Sequence, residues 1–366
     1  MNKNNAQILF TFTLLLAAFA LAACIENRSQ QFIFKRYDRE LDSWSYYKTD
    51  LYDPTQIEAL EITPCCLKDS CLNDNRVQPV WSPNGEYYVC GTAYDQLFSI
   101  YTVHGEKVTE LPQGNPTDPT RWGILGWSPD SQYLSITKIA SSGEPFNDFS
   151  IVRMDGSDFH QVYTHSAATF FFGDWSPNGK YVVLEVTPYK DAQSEFIFFE
   201  PEGEEIFRVA LSDFIDETMN LAEYPTWAPD SKKIAFFSPC YAGGNSRLYV
   251  LDVESREIED ISPLSSICGL GITGWSSNSE KILFAAFDWN THISGDRLDQ
   301  IFYSVNADGS DLMQLTDKGY GSLYWTLDGE QIIVSGYGEE GIYLMDADGS
   351  NKELLVEDGS FVSWIK

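Results

Sequence analysis

Positive charge, histidine and long apolar runs are all scarce in this sequence. Its 366 residues carry 24 Lys and Arg against 54 Asp and Glu, a formal net charge of −30. Such a surface repels phosphate backbones and anionic lipid head groups, so nucleic-acid binding is disfavoured. Solubility outside a cell accounts for the acidity most simply; attraction of cations or of a basic partner is the sharper reading. The four histidines are His104, His160, His165 and His292. None pairs at His-x3-His or His-Glu-x2-His spacing, so no zinc site is expected. No Gly-x-Ser-x-Gly nucleophile elbow, Gly-rich phosphate loop or dinucleotide fingerprint occurs. The string Asp346-Ala347-Asp348-Gly349-Ser350 hints at calcium, but it fails the EF-hand pattern and reads as a hairpin turn. No catalytic residue, cofactor or metal ligand is therefore selected. The many carboxylates keep a glycosidase-type pair in view without identifying one.

The N-terminus stands apart. Lys3 is the only charge before Glu26, and residues 8–23 are apolar apart from Thr11 and Thr13. That run is about sixteen residues, short of the roughly twenty that span a bilayer. A positive start, an apolar middle and small residues at the end describe a secretory signal. Leu21-Ala22-Ala23-Cys24 resembles the bacterial lipobox. The resemblance implies that residues 1–23 are a signal peptide, that Cys24 is lipidated as the first mature residue, and that 24–31 form a short tether. Two acyl chains anchor stably where one is marginal. The protein is thus expected outside the cytoplasm, lipid-anchored to the cell membrane. Ile25, in place of Asp after the cysteine, favours an outer membrane if the host has one.

What dominates the sequence is a repeat. Trp81-Ser82-Pro83-Asn84-Gly85 recurs as Trp127-Ser128-Pro129-Asp130-Ser131, Trp175-Ser176-Pro177-Asn178-Gly179 and Trp227-Ala228-Pro229-Asp230-Ser231. Two further copies are Trp275-Ser276-Ser277-Asn278-Ser279 and Trp325-Thr326-Leu327-Asp328-Gly329, and the intervals are 46, 48, 52, 48 and 50 residues. Pro sets the first corner of a turn, and Asn or Asp followed by Gly or Ser tolerates the second. An apolar strand comes next, for example Ile234-Ala235-Phe236-Phe237. A variable loop leads to a second strand such as Leu248-Tyr249-Val250-Leu251, then a tight turn such as Asp308-Gly309-Ser310, then a shorter strand. With the strand that ends at the Trp, each repeat has four strands. Four short antiparallel strands at this period describe a β-propeller blade, so the fold class is all-β. A blade is apolar on both faces and must stack, and closing the ring removes its exposed ends. The repeated Trp residues are expected to pack between blades.

This Trp-Ser-Pro-Asp/Asn-Gly/Ser pattern, with the later Asp-Gly-Ser turn, is similar to the WD40-like propeller repeat of TolB-type proteins over about residues 77–366. Ser277 and Leu327 depart from it by replacing the Pro, and several turns carry Ser for Gly. The Gly-His and Trp-Asp pairs of true WD40 repeats are missing. Seven blades are expected. Trp364 ends a first strand with nothing after it, while residues 32–37, 45–51 and 57–62 read as three strands without a Trp-turn. Together these complete a seventh blade and make 32–366 one domain, expected to be a monomeric propeller. Six blades, which the TolB resemblance implies, is the alternative.

The Trp-turn and the Asp-Gly-Ser turn are short and share one face of the ring. The other two connections are long and share the opposite face, where binding usually resides. Arg121, Trp122, Tyr189, Tyr241, Trp289 and His292 form the candidate binding face, with Asp118, Phe146, Asp191, Asp288, Asp296 and Arg297 on the same loops. Aromatic plates beside carboxylates suit a sugar or a peptide, although aromatics can also merely cap blade ends. With Cys24 lipidated, six cysteines remain: Cys65, Cys66, Cys71, Cys90, Cys240 and Cys268. Export permits disulfides, and no histidine lies near the Cys65–Cys71 cluster to favour a metal. Cys240 ends a strand and Cys268 lies in the next inter-blade loop, so a Cys240–Cys268 bridge is expected. Cys90 also ends a strand, and a bridge to Cys65, Cys66 or Cys71 is expected. The function expected is a non-catalytic binding or scaffold module for an envelope protein, peptide or glycan. A hydrolase or lyase acting on extracellular polysaccharide is the alternative. Some propellers cap a prolyl-oligopeptidase-type hydrolase, which a sequence ending at Lys366 is not expected to carry.

Overall fold

The computed structural model describes residues 29–38, 43–61, 79–90, 98–111, 121–139, 147–165, 168–188, 194–214, 222–240, 246–263, 267–288, 300–317, 321–335 and 341–366. Among them, 28 strands form seven four-stranded antiparallel sheets, and the one helical element is the 3-10 turn Leu211–Asp213. The fold is a seven-bladed β-propeller. The signal segment, Cys24 and most of the tether lie outside the described residues.

Six blades follow the chain. Blade 1 runs Val80–Trp81, Tyr87–Cys90, Phe98–Thr102 and Lys107–Leu111. Blades 2 to 6 repeat that order from the first strands Arg121–Trp127, Ala168–Trp175, Glu223–Trp227, Ile267–Trp275 and Ser322–Trp325. Each first strand ends at a repeat Trp, as the spacing predicts. These six Trp side chains are buried, between 5% and 8% exposed. The seven hydrophobic clusters each join two successive blades. Phe196 and Phe198 of blade 3, for example, meet Trp227, Phe236 and Tyr249 of blade 4. The set continues round the circle to Ile33 and Tyr46 of blade 7 against Trp81 and Tyr88 of blade 1. Each buried Phe, Ile or Val contributes about 1.5–3 kcal/mol, which a solitary sheet could not collect on both faces.

The Trp-turns are held by their own side chains. In blade 3 the Ser176 hydroxyl accepts the Tyr181 N–H at 2.9 Å and donates to Asn178 Oδ1 at 2.9 Å. Thr326 and Asp328 do the same in blade 6, so that turn forms without Pro. The departures from the repeat have a shared cause, which is bonding between neighbouring turns. Ser131, Ser231 and Ser279 stand at φ of 61°, 62° and 61°, where Gly is the usual residue. Their hydroxyls accept the N–H of Asn84, Asn178 and Asp230 from the preceding blade, at 3.2, 2.9 and 3.0 Å. Ser277, in a Pro position, donates to the Asp328 carbonyl of blade 6 at 2.6 Å. Gly329 must be glycine beside it, since a Cβ there would stand 2.6 Å from Ser277 Oγ.

Blade 7 draws on both ends of the chain. Its order is Ser360–Trp364, Gln31–Asp38, Ser43–Asp50 and Glu58–Leu60, close to the three N-terminal strands expected, the last shortened to three residues. Phe32 lies opposite Trp364 in the closing register. A polar clasp joins this blade to blade 6. Gln30 Nε2 donates to Asp328 Oδ2 at 2.6 Å, and Gln30 Oε1 accepts the Leu327 N–H at 2.7 Å. Leu327 replaces the repeat Pro here, and a Pro has no N–H to offer. Tyr52 adds a hydroxyl bond to Asp328 at 2.7 Å. On the other side, the Lys366 N–H reaches the Pro83 carbonyl of blade 1 at 2.7 Å.

Candidate functional site

Antiparallel order sorts the connections. In blades 1 to 6 the turn between strands one and two and the turn between strands three and four lie on one rim. The connections between strands two and three, and from blade to blade, start and finish on the opposite rim. On the first rim the Asp-Gly-Ser turns are self-contained. Asp348 Oδ1 accepts both the N–H and the hydroxyl of Ser350, at 2.9 and 2.6 Å. Those bonds hold the Asp348 carboxyl below its ordinary range, and Asp155 and Asp308 repeat the arrangement. The string at 346–350 is thus the ordinary turn of the repeat.

On the second rim, Arg121 and Trp122 open the innermost strand of blade 2, opposite Ile139 and Lys138. Asp288 ends the second strand of blade 5 at the same rim. Tyr189, Tyr241, Trp289 and His292 lie outside the described residues, as do Asp118, Phe146, Asp191, Asp296 and Arg297. Two covalent ties belong to this rim. Cys240 and Cys268 form a disulfide with a Cα–Cα distance of 5.4 Å, across 28 residues of sequence. Cys268 sits not in the inter-blade loop but as the second residue of the strand Ile267–Trp275, so the bridge pins blade 4 to the body of blade 5. Cys90 is disulfide-bonded as well, and Cys65, Cys66 and Cys71 lie outside the described residues.

Two carboxylates escaped the sequence reading. Glu185 lies mid-strand in Val182–Pro188 and is 0% exposed. Its Oε1 accepts the Ala222 N–H at 2.9 Å, while Oε2 has no hydrogen-bond partner among the described residues. Burial pushes its carboxyl up to about 7. Asp174 precedes Trp175 on the innermost strand of blade 3, and its Oδ1 accepts the Trp175 N–H at 2.8 Å. Protein surrounds it on most sides, although the side chain keeps some contact with solvent, and burial pushes it up to about 6. The signal that could have found Glu185 is a lone acid inside the apolar run Val182-Val183-Leu184-Glu185-Val186.

A cavity of about 350 Å³ opens where the innermost strands of blades 1, 2, 6 and 7 approach, lined by Trp81, Trp127, Tyr324, Phe361, Trp364 and Lys366 among others. Two of its three indoles serve the ring: Trp127 Nε1 donates to the Val80 carbonyl at 3.0 Å and Trp364 Nε1 to the Trp325 carbonyl at 2.9 Å. Among the described residues, no three His, Cys, Asp or Glu side chains converge as a metal centre.

The geometry defines a seven-bladed propeller with one bonded rim and one rim of long connections. No protein-family model matches the sequence, and no curated protein matches it. Solved structures share the fold. Prolyl oligopeptidase B from Galerina marginata gives a TM-score of 0.60 at 12% identity, over 90% of this chain and 51% of that one. Oligogalacturonate lyase from Vibrio parahaemolyticus gives 0.54 at 11% identity, over 89% and 85%. The β-propeller domain of the Trilobed protease from Pyrococcus furiosus gives 0.51 at 13% identity, over 76% and 81%. The chain spans about half the length of the peptidase chains it matches. At these identities the similarity extends to the fold alone.

Proposed function

We propose that the protein is a lipid-anchored, extracytoplasmic binding or scaffold module that offers its rim of long connections to an envelope protein, peptide or glycan. The observation that carries this reading is the placement of the N-terminal strand. Gln31–Asp38 begins at the Trp-turn rim, where Gln30 clasps the turn of blade 6. Cys24 precedes that point by six residues. A lipid there would hang the ring with the bonded rim toward the bilayer and the long connections outward. The outward rim carries Arg121 and Trp122 and is stiffened by the Cys240–Cys268 bridge, as suits a rigid scaffold presenting variable loops.

A second reading is a hydrolase or lyase acting on extracellular polysaccharide. It is favoured by the match to an oligogalacturonate lyase over most of both chains. One experiment separates the two. Photo-crosslinkers are placed at Trp122 on the outward rim and at Asp308 on the bonded rim of the membrane-bound protein, and a polysaccharide panel is tested for turnover. The binding reading expects a discrete adduct from Trp122 alone and no turnover. Turnover of a glycan that one carboxylate substitution abolishes would replace it with the second reading. Cys24→Ser should move the protein from the membrane to the soluble fraction; unchanged membrane retention would refute the anchor.

A further inference from the structure

Between blades 3 and 4, toward the rim of long connections, the apolar packing is interrupted. Glu185, Thr187 and Ser194 of blade 3 are 0%, 8% and 1% exposed. The Thr187 and Ser194 hydroxyls bond each other at 2.5 Å. Glu185 Oε1 accepts the N–H of Ala222, and Glu223, the next residue, starts the innermost strand of blade 4. The Ser194 hydroxyl stands near the Glu185 carboxyl without meeting hydrogen-bond geometry to Oε2.

The repeat supplies an internal control. Glu185 lies three residues beyond Val182, the partner of Trp175 in the ladder. In blade 6 the same register position is Ser335, three beyond Ile332, and its hydroxyl accepts the Phe361 N–H at 2.8 Å. In blades 4 and 5 the position holds Phe237 and Ala285. A serine therefore suffices to bond the first strand of the next blade, and an apolar residue suffices to fill the space. Glu185 adds a second oxygen and a charge that neither task needs. An ionised carboxylate in this setting requires a counter-charge. Among the described residues the charged group that bears on it is Glu223, which has the same sign.

We propose that Glu185 and Glu223, with the Thr187 and Ser194 hydroxyls, form a binding site for a hard divalent cation, Ca2+ in the first instance, that ties blade 3 to blade 4. Every donor is oxygen, which suits calcium rather than a soft metal. Two carboxylates balance a divalent charge. Glu223 is half-buried and gives the ion a route from solvent, while Glu185 Oε2 waits in the interior. Two carboxylates instead of the larger sets of high-affinity sites place the dissociation constant near that of extracellular modules, about 10⁻⁴–10⁻³ M. The inference stands independently of the lipid anchor and of any partner.

The test is thermal unfolding of the whole chain near neutral pH, in EGTA and in about 0.1–10 mM CaCl2 at constant ionic strength, a range that brackets the expected affinity. Tb3+ luminescence reports binding directly. Calcium is expected to raise the unfolding temperature by a few degrees through mass action. Glu185→Gln keeps an oxygen for the Ala222 N–H and should abolish both the shift and the terbium signal. Ser194→Ala, which leaves both charges in place, should weaken binding and serves if Glu185→Gln folds poorly. A wild-type unfolding temperature that calcium leaves unmoved would overturn the site and assign the neutralisation of Glu185 to a proton. A calcium response that survives Glu185→Gln would overturn it equally.

Discussion

Removing the Gln30 side chain should loosen the closed ring at one defined place. Gln30 is 6% exposed and makes bonds to Asp328 and to the Leu327 N–H across the junction of blades 6 and 7. Gln30→Ala leaves the Leu327 N–H without its partner and removes one of the donors to Asp328, while the Tyr52 hydroxyl stays in place. A bond to a charged group contributes about 1.5–3 kcal/mol, and an orphaned donor costs about 1–3 kcal/mol when buried. Both sites are part-buried, so the net loss should be about 2–3 kcal/mol. For a domain of this size 1 kcal/mol moves the unfolding temperature by about 1.5 °C, so the expected fall is about 4 °C. The loss should also depend on pH. Burial alone would raise Asp328, but the bonds from Thr326, Tyr52, the Glu330 N–H and Gln30 outweigh it and hold its carboxyl below the ordinary value. A carboxyl lowered on folding contributes stability above its unfolded value, near 4, and loses it as pH falls through the folded value. The Gln30→Ala penalty should therefore shrink in acid. Differential scanning calorimetry at about pH 7 and pH 3.5 reads both effects, with Gln132→Ala as a surface control expected within about 0.5 kcal/mol. A Gln30→Ala penalty no larger than the control, or one that grows in acid, would refute the reasoning.

Three further outcomes are expected. Ser231→Ala should cost about 1–2 kcal/mol, because it removes the bond to Asn178 yet keeps a side chain at positive φ, while Ser231→Gly should be nearly neutral; urea denaturation compares them. Breaking Cys240–Cys268 by double Ser substitution should lower stability by about 2–4 kcal/mol for a loop of this length, measured by unfolding with and without reductant. Asp174→Asn should stabilise the ring above about pH 6, since a carboxyl raised on folding loses stability as pH climbs from its unfolded value to its folded one. Solvent contact limits the gain to about 1 kcal/mol, and a pH series of unfolding temperatures checks the sign.

The fold was legible because each blade writes the same local chemistry. Trp closes a strand, Ser or Thr bonds the turn, and an apolar strand leaves it, so the period alone counts six blades and the stray Trp364 supplies the seventh. The Cys240–Cys268 bridge was legible for the same reason, because strand ends of successive blades meet on one rim. What resisted reading was contact between repeats. Ser277 and Leu327 looked like worn copies of a Pro, and only their partners Asp328 and Gln30 reveal them as fastenings. Glu185 looked like one acid in an oily strand, and only the folded ring shows one oxygen bonded to the Ala222 N–H of the next blade and the other buried without a hydrogen bond among the described residues. The candidate binding face rests on loop sequence, of which the structure places Arg121, Trp122 and Asp288 at the rim of long connections.

The division of blade 7 sets a timetable for assembly. Synthesis runs from the N-terminus, so Gln31–Asp38 emerges early with one edge bare and stays so until Ser360–Trp364 arrives. Until that strand is made, the nascent chain carries an open β-edge backed by Phe32 and Phe34. Such edges invite foreign strands, so Ser360–Trp364 acts as the latch that ends the vulnerable interval.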